Sequence, residues 1–193
     1  MHILLFMLNA IKWKCYNNIT NLFKLPFIAT DSIVLRNHAQ DPFHDLLLIQ
    51  RKNHPFQNKL AFPGGFIEMG ETAEHACLRE LNEETCLSGT QLSLVTVASN
   101  PLRDPRKHVI SIVYHVHVED FSPLKGMDDA KNAKFYDMKS ILKNKDCLAF
   151  DHYAILEKFL KNVFPCYKDY LNGSKFMKVG EKEMWFDVMD DIV

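Results

Sequence analysis

The chain has 193 residues, of which 47% are hydrophobic and 24% are charged, the proportions of an ordinary globular protein. Its formal net charge of −1 argues against a broad basic surface, and therefore against nucleic acid as a partner. The five cysteines are an odd number and show neither zinc-type nor Cys-x-x-Cys spacing, which indicates a reducing compartment. We therefore expect a cytoplasmic protein.

The N-terminal run MHILLFML is apolar but too short to cross a membrane. It has no basic region before it and no clear cleavage site after it. Ile3, Met7, Leu8 and Ile11 lie at helical spacing, so we predict a helical or frayed extension. Organelle targeting and membrane-surface binding are the alternatives, and no membrane partner is expected.

Two strands are predicted near the start of the domain, at Phe27–Leu35 and Leu46–Gln50, from their content of β-branched and aliphatic residues. The polar segment Arg36–Asp45 is predicted to connect them. A helix is predicted at Thr72–Thr85, because this segment is rich in good helix formers and contains neither proline nor glycine.

Three further strands are predicted at Leu92–Ala98, Val109–Val118 and Lys134–Met138. In the second of these, residues alternate with a period of two, so a strand with one apolar face is expected. A last helix, capped by Asp151, carries apolar residues at helical spacing and ends before Pro165. Strands followed by a helix, twice in succession, predict an α/β protein with a mixed sheet between helices.

Three carboxylates of the first predicted helix point to a metal. Glu80, Glu83 and Glu84 share one helix face, and like charges at these spacings repel by a few tenths of a kcal/mol per pair. A cation among the oxygens explains the arrangement, and Mg²⁺ suits it because this ion prefers oxygen ligands and bridges to substrate phosphates. A solvated acidic face is the alternative, but the nearby Pro-Gly-Gly turn, Arg79 and Glu71 argue against it.

The segment Gly65–Leu87, GFIEMGETAEHACLRELNEETCL, resembles the Nudix box of the Nudix hydrolases. The pattern of that box is G-x5-E-x7-R-E-U-x-E-E-x-G-U, with U aliphatic. Every fixed position matches except Cys86, which stands where the family usually has glycine. A glycine after a helix commonly adopts a positive φ, so Cys86 in that conformation is expected to cost about 1 kcal/mol. The charged positions are unaffected.

The resemblance implies the Nudix fold, an α/β/α sandwich with a mixed sheet, over residues 24–165, between extensions at 1–23 and 166–193. It implies a Mg²⁺-dependent hydrolase, with Mn²⁺ as the alternative metal, and it allows a homodimer. Its implied metal ligands are the Gly65 carbonyl, Glu80 and Glu84, with Glu83 as a further ligand or as the base. Arg79 is implied to orient these carboxylates through ion pairs.

A second group of residues suits a diphosphate substrate. Two prolines stiffen the segment that carries Arg103 and Arg106, and the planar guanidinium group binds phosphate through two parallel hydrogen bonds. A surface loop held by salt bridges is the alternative for this segment. We predict that Arg103, Arg106 and Arg51 contact the diphosphate or a ribose. Phe56 and Phe62 are candidates to stack on a base, and core packing is the alternative for both.

Three outer segments resemble the Nudix branch of ADP-ribose pyrophosphatases and related transcriptional regulators. They are RDPR at 103–106, DDA at 128–130 and LAFDH at 148–152. This branch often carries a glutamate after DDA, where this chain has Asn132, so the resemblance leaves the identity of the general base open. Asp128 and Asp129 are weaker candidates for that role.

The function implied by these residues is hydrolysis of a nucleoside diphosphate linked to another moiety. ADP-ribose, giving AMP and ribose 5-phosphate, is the first candidate for this nucleotide substrate. One alternative is a Nudix pyrophosphatase acting on damaged nucleoside triphosphates or dinucleoside polyphosphates. Another is an ADP-ribose sensor without turnover, against which the intact carboxylates of the box argue.

Overall fold

The computed structural model describes residues 25–38, 41–125, 130–165 and 167. The predicted N-terminal extension lies outside these residues, and so does the C-terminal extension apart from Tyr167. Asp128 and Asp129 also lie outside them. Among the described residues, no helix is both long and apolar enough to span a membrane.

The secondary structure follows the predicted order, with additional short elements. The strands are β1 Phe27–Ile33, β2 Leu35–His38, β3 Asp41–Arg51, β4 Leu60–Ala61, β5 Gly64–Phe66, β6 Gln91–Ala98, β7 Val109–His117 and β8 Ala130–Asp137. The α-helices are α1 Ala73–Thr85, α2 Met138–Lys143 and α3 His152–Val163, and a short 3-10 helix spans Lys145–Cys147. β4, β5 and α2 were not predicted, because segments this short carry little periodicity.

The strands form two sheets. The first has the order β5-β1-β7-β6 and is mixed, since β1 and β7 are parallel and the other pairs are antiparallel. In the second, β3 pairs antiparallel with β2, β4 and β8. The chain passes from the first sheet to the second at Val34, whose carbonyl accepts a hydrogen bond from the Leu47 amide at 3.0 Å. The prediction of an α/β fold with a mixed sheet is confirmed.

The two long helices bury different faces of the strands. Leu46 and Leu48 of β3 pack in one cluster with the apolar residues of α3, whereas Leu47 between them packs in a second cluster with Leu81 of α1. Because successive side chains of a strand point to opposite faces, α1 and α3 lie on opposite sides of β3. This places the two helices as the outer layers of a sandwich.

Two sequence predictions were wrong in detail. Arg36–Asp45 is not simply a connection, because β2 and β3 extend into it as an antiparallel pair in which Arg36 faces Asp45 at 2.7 Å. The apolar alternation predicted for β7 also fails, since Ser111 and Val113 are buried while Ile112 is only partly buried. Both faces of β7 are covered, because Val113 packs in the cluster that contains the apolar residues of α3, whereas Tyr114 and Val116 pack in the cluster that contains Leu81 of α1.

Helix α1 has the ends that the sequence predicts. The Thr72 hydroxyl accepts a hydrogen bond from the His75 amide at 3.2 Å and caps the first turn. Cys86 follows the last turn with φ 61°, in the left-handed conformation that glycine favours, and its amide donates to the Asn82 carbonyl at 2.8 Å. The departure from the Nudix pattern therefore leaves the backbone course of the box intact.

Candidate active site

A cleft of about 880 Å³ opens beside α1 and the glycine turn that precedes it. Acidic side chains and arginines line this cleft, and they come from β1, β3, α1, the loop before α1 and the loop between β6 and β7. The acidic residues are Asp31, Glu68, Glu80, Glu83, Glu84 and Asp104, and the arginines are Arg51, Arg79, Arg103 and Arg106. The predicted metal-binding and substrate-binding residues therefore line one cleft.

The glycine turn lies directly against two carboxylates. Gly64 and Gly65 of β5 pair with Asp31 and Thr30 of β1. A Cβ atom on Gly64 would lie 2.9 Å from Asp31 Oδ1, and one on Gly65 would lie 2.6 Å from Glu80 Oε2. Any side chain at either position would displace these carboxylates, so glycine is required for the close approach of the backbone to them.

Arg79 joins the loop before α1 to the carboxylates on the helix. Its Nε and Nη2 atoms donate to both oxygens of Glu71 at 2.8 and 3.0 Å. Its Nη1 atom donates to Glu80 at 2.8 Å and to Glu83 at 3.2 Å, and Nη2 also donates to the Phe66 carbonyl at 3.1 Å. The hydrogen bond from Arg79 lowers the pKa of Glu71, so Glu71 is an anionic anchor for the arginine.

Glu84 is the most buried carboxylate of the cluster, with 8% of its surface exposed. Its Oε2 atom accepts a hydrogen bond from the Gly64 amide at 2.9 Å. The pKa of Glu84 is raised to about 8, chiefly by burial and to a smaller extent by the charges of Glu80 and Asp31, against the effect of that hydrogen bond. Burial likewise raises the pKa of Glu80. The site thus holds carboxylates whose negative charge is poorly compensated.

This donor set fits a hard divalent cation. In the described part of the chain, no three His, Cys, Asp or Glu side chains converge closely enough to hold a metal ion in the present arrangement, in which Arg79 pairs with Glu80 and Glu83. Even so, the buried oxygens of Glu80 and Glu84 beside the Gly65 backbone are the donors that Mg²⁺ and similar ions prefer. Such an ion would favour the ionised carboxylates that burial disfavours.

Metal-free protein is expected to lose stability as the pH rises. The pKa of Glu84 is about 8 in the folded state, against an ordinary value of 4.5. Between these values the folded carboxyl group keeps a proton that the unfolded chain has released, so the free energy of unfolding falls with rising pH. From pH 6 to 8.5 the expected loss is about 2.5 kcal/mol.

Urea unfolding in EDTA at the two pH values measures this loss, with Glu84→Gln as the matched control. The glutamine variant should lack this component of the pH dependence. Added Mg²⁺ should stabilise the wild-type protein more at pH 8.5 than at pH 6, because the ion competes with the proton for the carboxylate. Equal pH dependence in the two proteins would contradict the assignment.

Arg103 is held in ion pairs within the protein. Its side chain is 5% exposed, and its Nε and Nη2 atoms donate to the Asp151 carboxylate at 2.7 to 3.1 Å. Nη2 also lies 3.7 Å from Asp31. Asp151 does precede α3, as predicted, but its side chain does not cap the helix and binds Arg103 instead. Of the two arginines in this segment, Arg103 therefore has a structural role.

Arg51 and Arg106 are more accessible than Arg103. Arg106 is 45% exposed and binds Asp104 through two hydrogen bonds of 3.0 and 2.7 Å. Arg51 is partly buried, donates from Nε to the Pro55 carbonyl at 3.0 Å, and lies 4.7 Å from the ring centroid of Phe150. Among the described residues, Arg51 has no carboxylate within ion-pair distance, so its terminal nitrogens are available to an anion.

Phe62 packs in the interior of the protein, which is the alternative to stacking on a base. Phe62 is 1% exposed, and its ring stacks on the imidazole of His152 with centroids 4.6 Å apart. Phe56 packs its ring edge against Phe150 at 4.9 Å. Of the aromatic residues that line the cleft, Phe150 is the one that lies against Arg51.

Sequence reasoning missed a polar network behind the acidic cluster. Asp31 accepts a hydrogen bond from the Ser111 hydroxyl, and its other oxygen lies 3.7 Å from His152 Nε2. These residues come from β1, β7 and α3, so no spacing along the chain relates them. The available signals were weak, namely a carboxylate within an otherwise apolar strand and a histidine in the LAFDH segment.

Comparisons with known proteins agree with this geometry. The chain is 44% identical over 140 residues to an ADP-ribose pyrophosphatase of Methanocaldococcus jannaschii, a match that covers 72% of this chain and 76% of that protein. It is 30% identical over 115 residues to an ADPR-responsive transcriptional repressor, NtrR, of Acinetobacter baylyi, covering 58% of this chain and 45% of the repressor.

A solved structure matches the fold. The NUDIX domain of Shewanella oneidensis NrtR, crystallised with ADP ribose, superposes with a TM-score of 0.63 at 27% identity, covering 72% of this chain and 88% of that domain. The NUDIX domain model matches residues 26–159, a range that includes the glycine turn, the acidic helix and most of α3. The chain therefore belongs to the NUDIX family.

Proposed function

We propose that the chain is a Mg²⁺-dependent Nudix hydrolase that cleaves the diphosphate of ADP-ribose to give AMP and ribose 5-phosphate. The observation that carries this proposal is that one cleft is lined by the carboxylates of α1, of which Glu84 is buried, and by the guanidinium group of Arg51, which has no carboxylate within ion-pair distance among the described residues. The 44% identity to an ADP-ribose pyrophosphatase supports the choice of substrate. Mn²⁺ is the alternative metal.

The acidic side of the cleft supplies the metal site. Glu80, Glu84 and the Gly65 carbonyl would hold the divalent ion, with Glu83 as a further ligand. When bound, such an ion neutralises phosphate charge and lowers the pKa of a water molecule for attack on phosphorus. Glu83, 46% exposed, is our candidate to accept the proton of that water if it does not bind the metal. Asn132 is exposed on β8, and an amide cannot accept this proton.

The opposite charge in the cleft comes from Arg51. Burial and the nearby charge of Arg106 lower the pKa of Arg51, which means that they disfavour its charged form. A bound diphosphate would favour the charged form and so offset this effect. Its Nε hydrogen bond and its contact with Phe150 fix the guanidinium plane before substrate arrives, which limits the entropy lost on binding. Arg106 is proposed as a second contact, and Arg103 as a residue that acts from behind the cleft.

The remaining parts of the proposal concern the whole chain. We place the catalytic domain at residues 24–165 and the protein in the cytoplasm, where free thiols such as Cys77, Cys86 and Cys147 persist. The near-zero net charge supports the absence of a nucleic-acid partner. A homodimer is proposed by analogy with many Nudix hydrolases.

The first test of function is AMP release with Mg²⁺ from a panel of substrates. The panel contains ADP-ribose, oxidised and normal nucleoside triphosphates, and dinucleoside polyphosphates. Preferential turnover of ADP-ribose supports the proposal, and turnover of triphosphates alone would contradict the substrate assignment. Binding of ADP-ribose without turnover would favour a sensor, a role that the similarity to the A. baylyi repressor makes worth testing.

Loss of Arg51 is expected to weaken substrate binding more than turnover. Arg51→Gln should raise KM for ADP-ribose about 10- to 100-fold, because hydrogen bonds to charged groups contribute about 1.5–3 kcal/mol each. Arg51→Lys should be intermediate, since lysine keeps the charge but loses the planar fork. The matched control is Lys52→Gln, an exposed neighbour that lines the same cleft. A similar rise in KM for Arg51→Gln and Lys52→Gln would indicate that the positive charge of the cleft attracts the substrate in general, and that Arg51 makes no specific contact with it.

A further inference from the structure

The turn that carries the metal-site glycines is anchored by a histidine from outside the Nudix box. The Phe62 amide donates a hydrogen bond to His152 Nδ1 at 3.0 Å, and the two rings stack with an interplanar angle of 12°. Phe62 immediately precedes Pro63, Gly64 and Gly65. The first residue of α3 therefore holds the residue at the entrance to the glycine turn.

The second nitrogen of His152 faces β1. Because Nδ1 accepts the Phe62 hydrogen bond, the ring proton lies on Nε2, which is 3.7 Å from Asp31 Oδ1. Burial lowers the pKa of His152, so the imidazole is neutral at neutral pH. β1 also holds the Pro63 carbonyl, which accepts hydrogen bonds from the Ser32 amide at 2.8 Å and the Ser32 hydroxyl at 3.0 Å. Pro63 is thus fixed on both sides.

His152 is in turn fixed through its neighbour in the chain. Asp151 is bound by the buried Arg103, which also lies 3.7 Å from Asp31. The RDPR segment, the LAFDH segment and β1 therefore meet in one buried network of charges behind the glycine turn. Gly64 connects this network to the carboxylate cluster, since it pairs with Asp31 and donates its amide hydrogen to Glu84 at 2.9 Å.

We propose that His152 is a positioning residue for the metal site. By accepting the Phe62 amide hydrogen, it sets the glycine turn at the position where Gly64 contacts Glu84 and Gly65 lies against Glu80. The inference rests on the divalent-metal site of the proposed function. It gives the RDPR and LAFDH segments a shared role behind the metal site, in addition to any contact that Arg106 makes with substrate.

A direct contact between His152 and substrate is disfavoured by burial. His152 is 2% exposed, its Nδ1 atom already accepts a hydrogen bond, and Phe62 covers one face of its ring. Its influence on the reaction must then pass through the backbone of residues 62–65. Residues that orient metal ligands in this way typically change metal affinity by about 10- to 100-fold when they are mutated.

The test compares variants that keep or remove the acceptor at the Nδ1 position. In His152→Asn the amide oxygen is as many bonds from Cα as Nδ1, so the hydrogen bond from Phe62 is retained. In His152→Gln the amide extends to the position of Nε2, and His152→Leu has no acceptor at all. The readout is Mn²⁺ binding to the full chain without substrate, followed by electron paramagnetic resonance of the free ion. KM for ADP-ribose at saturating metal is measured in parallel.

We expect the Mn²⁺ dissociation constant to rise about tenfold or more for His152→Gln and His152→Leu, and to stay within about threefold of wild type for His152→Asn. KM at saturating metal should change less than about threefold in all variants. Thermal melts establish that each variant is folded at the assay temperature. If His152→Leu does not fold, the comparison of asparagine with glutamine decides.

Three results would overturn the inference. They are unchanged Mn²⁺ affinity in the glutamine variant, equal loss in the asparagine and glutamine variants, and a raised KM with unchanged Mn²⁺ affinity, which would place His152 at the substrate. Absence of Mn²⁺ binding by the wild-type chain would overturn both this inference and the metal dependence of the proposed function. Wild-type Mn²⁺ binding without ADP-ribose hydrolysis would overturn the proposed substrate alone.

Discussion

Glu84→Gln is expected to lower kcat for ADP-ribose hydrolysis about 10²- to 10³-fold, because it removes a carboxylate that would hold the divalent ion, and that ion would balance the negative charge of the transition state. The substitution is nearly isosteric, and the glutamine oxygen can still accept the Gly64 amide hydrogen. Loss of activity would therefore report the loss of a charge rather than a collapse of the turn. Mn²⁺ binding should weaken in parallel.

The experiment measures kcat and Mn²⁺ affinity of Glu84→Gln beside two other glutamine variants. Glu83→Gln removes a carboxylate that is 46% exposed and bound to Arg79. This variant tests whether Glu83 acts as a metal ligand or as the base. If Glu83 is the base, kcat should fall while Mn²⁺ affinity is largely kept. Glu119→Gln removes an exposed carboxylate that does not line the cleft and should have no effect. If kcat of Glu84→Gln equals that of the wild-type protein, the assignment of Glu84 as a metal ligand is contradicted.

The same substitution should leave metal-free protein at pH 8.5 at least as stable as wild type. Burial raises the pKa of Glu84 to about 8, so at pH 8.5 the ionised carboxylate opposes folding unless a cation compensates it. Where function requires a buried charge, an inactive variant that lacks this charge is expected to be more stable than the active protein. Gain of stability together with loss of activity would distinguish Glu84 from a carboxylate that merely supports the fold.

The Nudix box could be predicted from the sequence because its functional residues lie close together in the chain. Glu80, Glu83 and Glu84 are separated by one helical turn or less, and Thr72 and Cys86 mark the ends of the same helix. The left-handed conformation expected for Cys86 is confirmed, because a single backbone position decides it. The strand predicted at Leu92–Ala98 is also confirmed closely, as β6 Gln91–Ala98, since a run of aliphatic and β-branched residues is a local signal.

The network around His152 could not be read from the sequence because its contacts are long-range. Asp31 lies 80 residues from its hydrogen-bond partner Ser111, and Phe62 lies 90 residues from His152. Burial on both faces likewise hid the pattern of β7, since a strand that contacts apolar residues on each side has no polar face. The ion pair of Arg103 could not be assigned from the sequence for the same reason, because its carboxylate partner Asp151 lies 48 residues away, just before the last helix.

Arg103→Met is expected to destabilise the folded protein by about 3–5 kcal/mol, because removing one partner of a buried ion pair leaves the other charges uncompensated. Arg103 lies between Asp151 at 2.7 Å and Asp31 at 3.7 Å, and its own side chain is 5% exposed. Methionine fills much of the volume but cannot neutralise either carboxylate. A residue that served only to bind substrate would affect KM and not the free energy of unfolding.

The measurement is urea unfolding at pH 7, with Arg36→Met as the matched control. Arg36 also pairs with an aspartate, Asp45, at 2.7 Å, but its side chain is 42% exposed. An ion pair exposed to this degree contributes about 0–1 kcal/mol, so Arg36→Met should cost far less than Arg103→Met. Combining Arg103→Met with Asp151→Asn should recover part of the loss, because the variant then buries one unpaired charge fewer. An equal loss of unfolding free energy in the two methionine variants would contradict a structural role for Arg103. It would favour a role for Arg103 in binding the substrate.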